Sequence, residues 1–253
     1  MLMSGLASVT FRNLLPQEIV KLVSTAGLDG IKWGGDIHVP HGNTVQAKEV
    51  RTMTHDAGLK VISYGAYYHV GEKNEDDFRS VVDVACALET QTIRIWSGRQ
   101  TFRTAKQEYL QHFIEETRRI AAYAKQENKI LAFEFHDRTL FDTGEAACIL
   151  LREIDCPNVG TYWQVRYQES FNVCCDDLRQ MLPFLVNIHA FHMDSTEQQQ
   201  YELSDGSVNW KQYIKMASTS TRNHAILIEF VKDNDIDQFL RDAKTLNDLL
   251  CGK

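Results

Sequence analysis

No run of apolar residues in this chain approaches the ~18 that a membrane-spanning helix needs, so no membrane partner is expected. There is also no Pro/Gly/Ser-rich linker and no shift in composition. The 253 residues therefore read as one domain, 1–253, a length that α/β barrels routinely use as a single unit. Positive charge is not in surplus. The net charge is -7, which argues against a nucleic-acid partner, because phosphate binding usually needs a basic face. The N-terminal Met1-Leu-Met-Ser-Gly-Leu-Ala-Ser8 has neither a basic region nor a long apolar core, and does not look like a secretory signal. The six cysteines contain no C-x-x-C pair, and the adjacent Cys174 and Cys175 are poorly placed to share one structural zinc. Free thiols in a reducing, cytoplasmic compartment are expected.

What the chain does have is alternation. Apolar runs of strand length at 9–12, 30–33, 60–64, 92–96, 131–136, 159–163, 188–191 and 226–230 each precede a stretch of helical character. Pro16 suits a first helical position, and Gly27 and Gly58 suit helix ends. Asn74 and Thr143 read as N-caps of the third and fifth helices. The fourth helix is expected over 104–127, the sixth over 177–184, the seventh over 208–217 and the last over 235–250. Eight strands alternating with eight helices imply a parallel sheet and match a closed (β/α)8 TIM barrel. A doubly wound open sheet would more naturally carry a glycine-rich fingerprint after its first strand, and Phe11-Arg-Asn-Leu-Leu-Pro16 has none.

Four of these runs end in residues with chemistry. Leu131-Ala-Phe-Glu-Phe-His136 carries Glu134, Val159-Gly-Thr-Tyr-Trp-Gln164 ends in Gln164, Ile188-His-Ala-Phe-His192 ends in His192, and Ala225-Ile-Leu-Ile-Glu229 ends in Glu229. Barrel enzymes place their chemistry at the C-terminal ends of the strands. Strand parity groups Glu134 with Ala132, Gln164 with Tyr162, His192 with Ala190 and Glu229 with Leu227, and sets His189 on the opposite face. Two carboxylates, an imidazole and an amide oxygen can bind one divalent ion of the Mn, Mg, Co or Zn type. The same two carboxylates could flank one substrate carbon, one removing a proton and the other returning it. A bound metal would polarise the carbonyl and stabilise the enediolate.

These stretches, with Gly30-Ile-Lys-Trp-Gly-Gly-Asp-Ile-His-Val-Pro-His-Gly42 and Phe133-Glu-Phe-His-Asp-Arg-Thr-Leu-Phe-Asp-Thr143, resemble the xylose-isomerase-like TIM-barrel superfamily of sugar and sugar-phosphate isomerases and epimerases, related in fold to endonuclease IV. The resemblance implies that Glu134 and Glu229 are metal-binding glutamates that also act as the acid/base pair, and that His192 is the seventh-strand ligand. Gln164 falls where many members have aspartate, Tyr167 where many have histidine, and Lys32 near where many carry an acidic residue. His136 and His69 are expected to face substrate. Trp33 and Trp96 would either wall a sugar face or pack at the rim. Arg166 and Lys232 are candidate phosphate or carboxylate contacts, set against a reading as solvated loop charges.

The function expected is a divalent-metal-dependent isomerase or epimerase of a small sugar, sugar phosphate or keto-polyol. Three readings stand beside it: a keto-polyol dehydratase or a hydride-shift isomerase at the same site, a non-catalytic sugar-binding relative, and an endonuclease. The endonuclease would need more His and Asp ligands and a basic face. Homo-oligomerisation is left open.

Overall fold

A computed structural model of the chain describes residues 2–74, 77–166, 168–193 and 199–252. Eight strands pair in parallel around a closed ring: β1 (Leu2–Ala7), β2 (Gly30–Gly34), β3 (Lys60–His69), β4 (Thr92–Trp96), β5 (Ile130–Phe133), β6 (Val159–Trp163), β7 (Leu185–Ala190) and β10 (His224–Ile228). Their order around the ring is β1-β10-β7-β6-β5-β4-β3-β2. Between β7 and β10 a short antiparallel pair, β8 (His192–Met193) and β9 (Gln200–Tyr201), stands outside the ring. The helices are α1 (Pro16–Thr25), α2 (Thr44–Asp56), α3 (Phe78–Ala87), α4 (Gln107–Gln126), α5 (Gly144–Ile154), α6 (Phe171–Met181), α7 (Ser207–Ala217) and α8 (Ile236–Leu250). The architecture is the expected (β/α)8 TIM barrel. No helix among the described residues is long and apolar enough to cross a membrane.

Local chemistry sets the helix starts. Pro16 occupies the first turn of α1, where its missing N–H has no intrahelical partner to lose, and the Glu18 carboxylate accepts from the backbone N of Leu15 at 2.7 Å. Thr143 accepts from Ala146 N, and Asp235 from Gln238 N. Several sequence expectations move, among them the third strand, which runs on from Tyr64 to His69. The first strand is Leu2–Ala7, and Ser8–Phe11 is a 3-10 turn; the strand is buried and rich in small residues, so its alternation is muted. Asp77, not Asn74, caps α3, while the Asn74 side chain closes a loop on the backbone N and O of His69 at 2.8 and 2.9 Å. Helix α6 begins at Phe171 behind a Ser170 cap, ahead of the expected 177.

The core has two shells. Between strands and helices lie Trp33, Phe113, Phe133, Trp163 and Trp210, all buried. Inside the ring, Ala132, Tyr162, Val186, Ala225 and Leu227 fill the lower barrel. Small residues make room for large ones there: a Cβ on Gly5 would lie 2.6 Å from Ile62 Cδ1, and one on Gly160 only 2.5 Å from the Phe184 carbonyl oxygen. Register shifts fall in three strand pairs, one of them between Gly65 and His69 where β3 meets β4, and the other two shape the barrel interior. Ile31 and Lys32 pair with Val61 and Ser63, skipping Ile62, while Thr161 and Tyr162 pair with Leu185 and Asn187, skipping Val186. Each extra residue is an inward apolar side chain followed at once by an inward polar one, as a bulge permits. Ser63 and Asn187 meet across the barrel at the Tyr162 hydroxyl, which donates to Ser63 at 2.8 Å and accepts from Asn187 at 2.9 Å.

Candidate active site

Above the Tyr162 layer, at the C-terminal mouth of the barrel, lies a layer of charge. His189 is fully buried at its centre. Its Nδ1 is 2.9 Å from Glu134 Oε1, 2.9 Å from Glu229 Oε2 and 3.1 Å from Gln164 Oε1. Its Nε2 is 2.7 Å from Lys32 Nζ, which also approaches Glu229 Oε1 at 3.5 Å. On the far side, Arg94 Nε stands 3.0 Å from Glu134 Oε2, and Arg94 Nη1 donates to the Ala66 carbonyl at 3.1 Å. The Arg94 guanidinium lies 5.0 Å from the ring centres of both Tyr67 and Trp96. None of these six polar side chains belongs to a residue more than 9 % exposed.

Burial alone would push both carboxyls up. For Glu134 the charges of His189, Lys32 and Arg94 outweigh it, and for Glu229 those of His189 and Lys32 do, so both are held below the usual carboxylate range. Burial and the neighbouring Arg94 push the Lys32 amine down, against the opposing pull of Glu229 and Glu134. For His189 the two glutamates overcome burial and raise the imidazole above its ordinary value. The site thus holds two ionised carboxylates against the Arg94 guanidinium, the His189 imidazole and the Lys32 amine.

A cleft with about 730 Å³ of empty space, lined in part by Phe135, His136, Gln164, Phe191, Met193 and Glu229, opens above this layer. Phe135, Phe191 and Phe230 supply its aromatic walls, and beyond His136 the rings continue, Trp96 meeting His136 edge-on at 5.4 Å and stacking on His69 at 5.5 Å. Directly after Glu229 the backbone turns sharply, with Phe230 at φ +61° and its N–H donating to Thr10 Oγ1 at 3.0 Å. A bulky side chain in the left-handed region is strained, and here the strain sits next to a site carboxylate.

The family model for the xylose isomerase-like TIM barrel matches residues 20–249. The chain belongs to the xylose isomerase-like TIM-barrel family. Among solved structures it is similar to the probable 3-DHS dehydratase of petrobactin synthesis from Bacillus anthracis, with 20% identity, a TM-score of 0.79, and 98% of this chain and 99% of that one covered. It is also similar to 3-keto-D-glucoside 4-epimerase from E. coli (14% identity, TM-score 0.76, 98% and 99% covered). A third likeness is to a xylose isomerase-like TIM-barrel protein from Mycobacterium smegmatis in complex with magnesium (15% identity, TM-score 0.75, 98% and 97% covered). No curated protein matches in sequence. At these identities the structural likenesses establish the fold.

Within this family member, three of the four expected strand-end residues, Glu134, Gln164 and Glu229, come together. The fourth does not. His192 lies beyond the end of β7, in β8 opposite Tyr201, with its ring 6.0 Å from the Tyr201 ring, and His189 takes the central place. The expected strand, 188–191, sets Ala190 and His192 inward; in the structure Asn187 and His189 face in, Ile188 and Ala190 join the outer core, and β7 ends at Ala190, before His192. Trp33 is also reassigned. It is fully buried toward α2, where its Nε1 donates to Thr54 Oγ1 at 3.3 Å, so it cannot wall a substrate. His136 and Arg166 line the cleft, but Arg166 is committed to Asp177 at 2.8 Å and Glu169 at 3.2 Å. His69 borders a neighbouring hollow beside Tyr67 and Arg99. Lys232 sits in a 3-10 turn, away from the cleft lining. Tyr167 lies outside the described residues. Lys32 and Arg94 were visible as charges inside apolar strands, Ile31-Lys-Trp33 and Ile93-Arg-Ile95, and that interruption was the signal for them.

Glu134, His189 and Glu229 form a group that could hold a metal ion, with one ligand-type atom from each within 4.8 Å of the others. Spacings near 3 Å between such atoms are those of a coordination shell, since metal–ligand bonds run about 2.0–2.2 Å. The hydrogens do not agree with that spacing. To bind a metal, His189 Nδ1 must expose a lone pair, which leaves the ring proton on Nε2. Metal-bound histidines give that proton to a carboxylate, a carbonyl or water. Here Nε2 faces Lys32 Nζ. An ammonium there donates to Nε2 and puts the proton on Nδ1, and an imidazolium carries both protons; in either state Nδ1 has no free pair, and only a neutral Lys32 amine, accepting from Nε2–H, would free it. With Lys32 as an ammonium beside Glu229, the donor set does not fit a bound dication.

Proposed function

We propose that the chain is an isomerase or epimerase of a small sugar, sugar phosphate or keto-polyol, acting by proton transfer alpha to a carbonyl. The observation that carries this reading is the pair of carboxylates converging on one imidazole nitrogen, each 2.9 Å from His189 Nδ1, below a cleft at the C-terminal mouth of the barrel. Glu229 lines the cleft and is the residue placed to take the substrate proton. Its ionised state suits the role of base. The proton returns from the other side either from His136 at the cleft wall or from Glu134, which is ionised at rest and receives a proton from His189 Nδ1–H as Glu229 passes the substrate proton to that nitrogen. The oxyanion that develops on the substrate lies above the buried Lys32 and Arg94, whose positive charge acts on it from beneath the cleft and is oriented before substrate arrives. Phe135, Phe191 and Met193 supply the apolar walls that exclude water.

The similarity to structures named as a 3-keto-D-glucoside 4-epimerase and a D-psicose 3-epimerase supports the choice of carbonyl sugars as substrates. The test is a panel of keto-sugars and keto-polyols, free and phosphorylated, turned over in deuterium oxide. Proton transfer places a solvent deuteron on the reacting carbon of the product. An unlabelled isomer would mean a hydride shift, and an unsaturated product would mean dehydration. No turnover across the panel would leave a binding protein and overturn the enzyme reading.

A further inference from the structure

The mouth of this barrel contains its own counter-charge. Glu134 and Glu229 contribute two negative charges, and Lys32 and Arg94 contribute two positive ones, all from residues at most 6 % exposed. Each carboxylate has a cation beside it, Arg94 Nε at 3.0 Å from Glu134 and Lys32 Nζ at 3.5 Å from Glu229. The fourth donor, Gln164, is a neutral amide. A divalent ion added here would give the buried cluster a net positive charge, where bound dications require uncompensated carboxylates. Lys32 also sits against the one imidazole nitrogen that would have to donate for the other to bind metal. The Arg94–Glu134 pair stands by itself, while the charge count and the hydrogen-bond polarity both take Lys32 as an ammonium, the state favoured by Glu229 at 3.5 Å.

We propose that this centre works without a divalent ion, the buried Lys32 ammonium and Arg94 guanidinium taking the part that a metal would play against Glu134, Glu229 and His189. Lys32 is the decisive residue because it serves both functions. It neutralises Glu229, and it holds the His189 proton on the nitrogen that faces the carboxylates. The proposal deepens the isomerase reading of the same site, but it is read by binding rather than turnover, so the two can fail separately.

The experiment is Mn²⁺ binding to the purified chain, followed by elemental analysis, by water-proton relaxation and by melting temperature in added MnCl₂. A micromolar site exposed to about 1 mM Mn²⁺ would raise the melting temperature of a chain of this length by about 8 °C. The wild type is expected to carry substoichiometric metal and to show no such rise. Lys32→Gln removes the charge, roughly keeps the length, and offers an amide oxygen to accept the His189 Nε2 proton. Lys32→Glu also adds a carboxylate. Either variant, once shown to be folded by circular dichroism, is expected to gain saturable Mn²⁺ binding that disappears when Glu134→Gln is added. Stoichiometric Mn²⁺ on the wild type, lost on Glu134→Gln, overturns the proposal. So does a folded Lys32→Gln protein that gains no binding. Weak wild-type binding that survives Glu134→Gln belongs to exposed acidic groups and agrees with it.

Discussion

Replacing Glu134 by glutamine is the most informative single change, because it separates charge from shape. The side chain keeps its volume, and its carbonyl oxygen can still accept from one donor. The carboxylate now accepts from His189 Nδ1 at 2.9 Å through one oxygen and faces Arg94 Nε at 3.0 Å through the other. In the variant one of those oxygens becomes an NH₂, a donor set against a donor, and Arg94 loses its counter-charge inside the protein. Removing one partner of a buried ion pair costs about 3–5 kcal/mol. With an unfolding entropy near 2.1 cal/mol/K per residue, 253 residues give about 0.5 kcal/mol per degree, so the melting temperature should fall by about 6–10 °C. Loss of a general acid/base should lower kcat by roughly 10²- to 10⁴-fold. Glu134→Asp is the control. It keeps the charge and so should recover most of the stability, but it withdraws the carboxylate by one methylene and so should recover little of the activity. Differential scanning fluorimetry and a steady-state assay on the substrate found in the deuterium screen read both effects. A Glu134→Gln protein with wild-type kcat and wild-type melting temperature would refute both the catalytic role and the buried ion pairing.

The other expectations are narrower. Gly160→Ala pushes a methyl to 2.5 Å from the Phe184 carbonyl and 2.7 Å from Val186 Cγ2; backbone cannot yield as a side chain tip can, so a loss of about 1–3 kcal/mol, or about 2–6 °C, is expected by thermal melt. Trp33→Phe forfeits the hydrogen bond to Thr54 and should lower stability by about 1 kcal/mol or more while leaving KM unchanged, and a raised KM would restore Trp33 to the substrate site. The folded state should weaken on the acid side of neutrality. Burial lowers His38, His69 and His224 below the ordinary 6.5, and His69, with Arg99 also nearby, falls to about 4. At these imidazoles the unfolded chain binds more protons below 6.5, so their contribution is lost as pH falls toward 4, offset in part by Asp142, Asp177 and Asp242, whose carboxyls burial pushes up and which take protons first in the folded state. The depressed Glu134 and Glu229 add their own loss once pH drops below about 4.5. A melting temperature that stays flat from pH 7 to pH 4 would contradict this.

The barrel was legible because eight apolar runs and eight helical stretches alternate without a break, and because caps such as Pro16 and Thr143 act within one turn of chain. Glu134, Gln164 and Glu229 were legible because each closes an apolar run whose parity is regular. His189 was not, and the cause is local. In Ile188-His-Ala-Phe-His192 the small Ala190 reads as the inward residue, and nothing in the run announces that Ala190 packs outward while His189 and Phe191 share the inner side. The first strand was hidden for a different reason. Leu2–Ala7 is hydrogen-bonded on both edges and packed on both faces, so it shows no contrast between a wet and a dry side. Lys32 and Arg94 could be seen in the sequence, but their meaning depends on what stands across the barrel, which only closure of the ring supplies.

That closure also decides how the charge layer should be understood. Burying charges in a barrel is a poor way to gain stability, since well-packed apolar groups of the same volume are often as stable or more so. The lower interior of this barrel takes that apolar solution, with Ala132, Val186, Ala225 and Leu227 around Tyr162. Only the C-terminal layer departs from it, and it departs with opposite charges arranged so that each carboxylate meets a cation and one imidazole joins both. The change from apolar to ionic packing falls where a cleft opens and where Phe230 is held at a positive φ beside Glu229. Strain, buried charge and access coincide at one end of the barrel. A stabilising device would have no reason to choose the solvent-facing end, whereas a centre that must meet a polar substrate with pre-oriented charge has no other place to be.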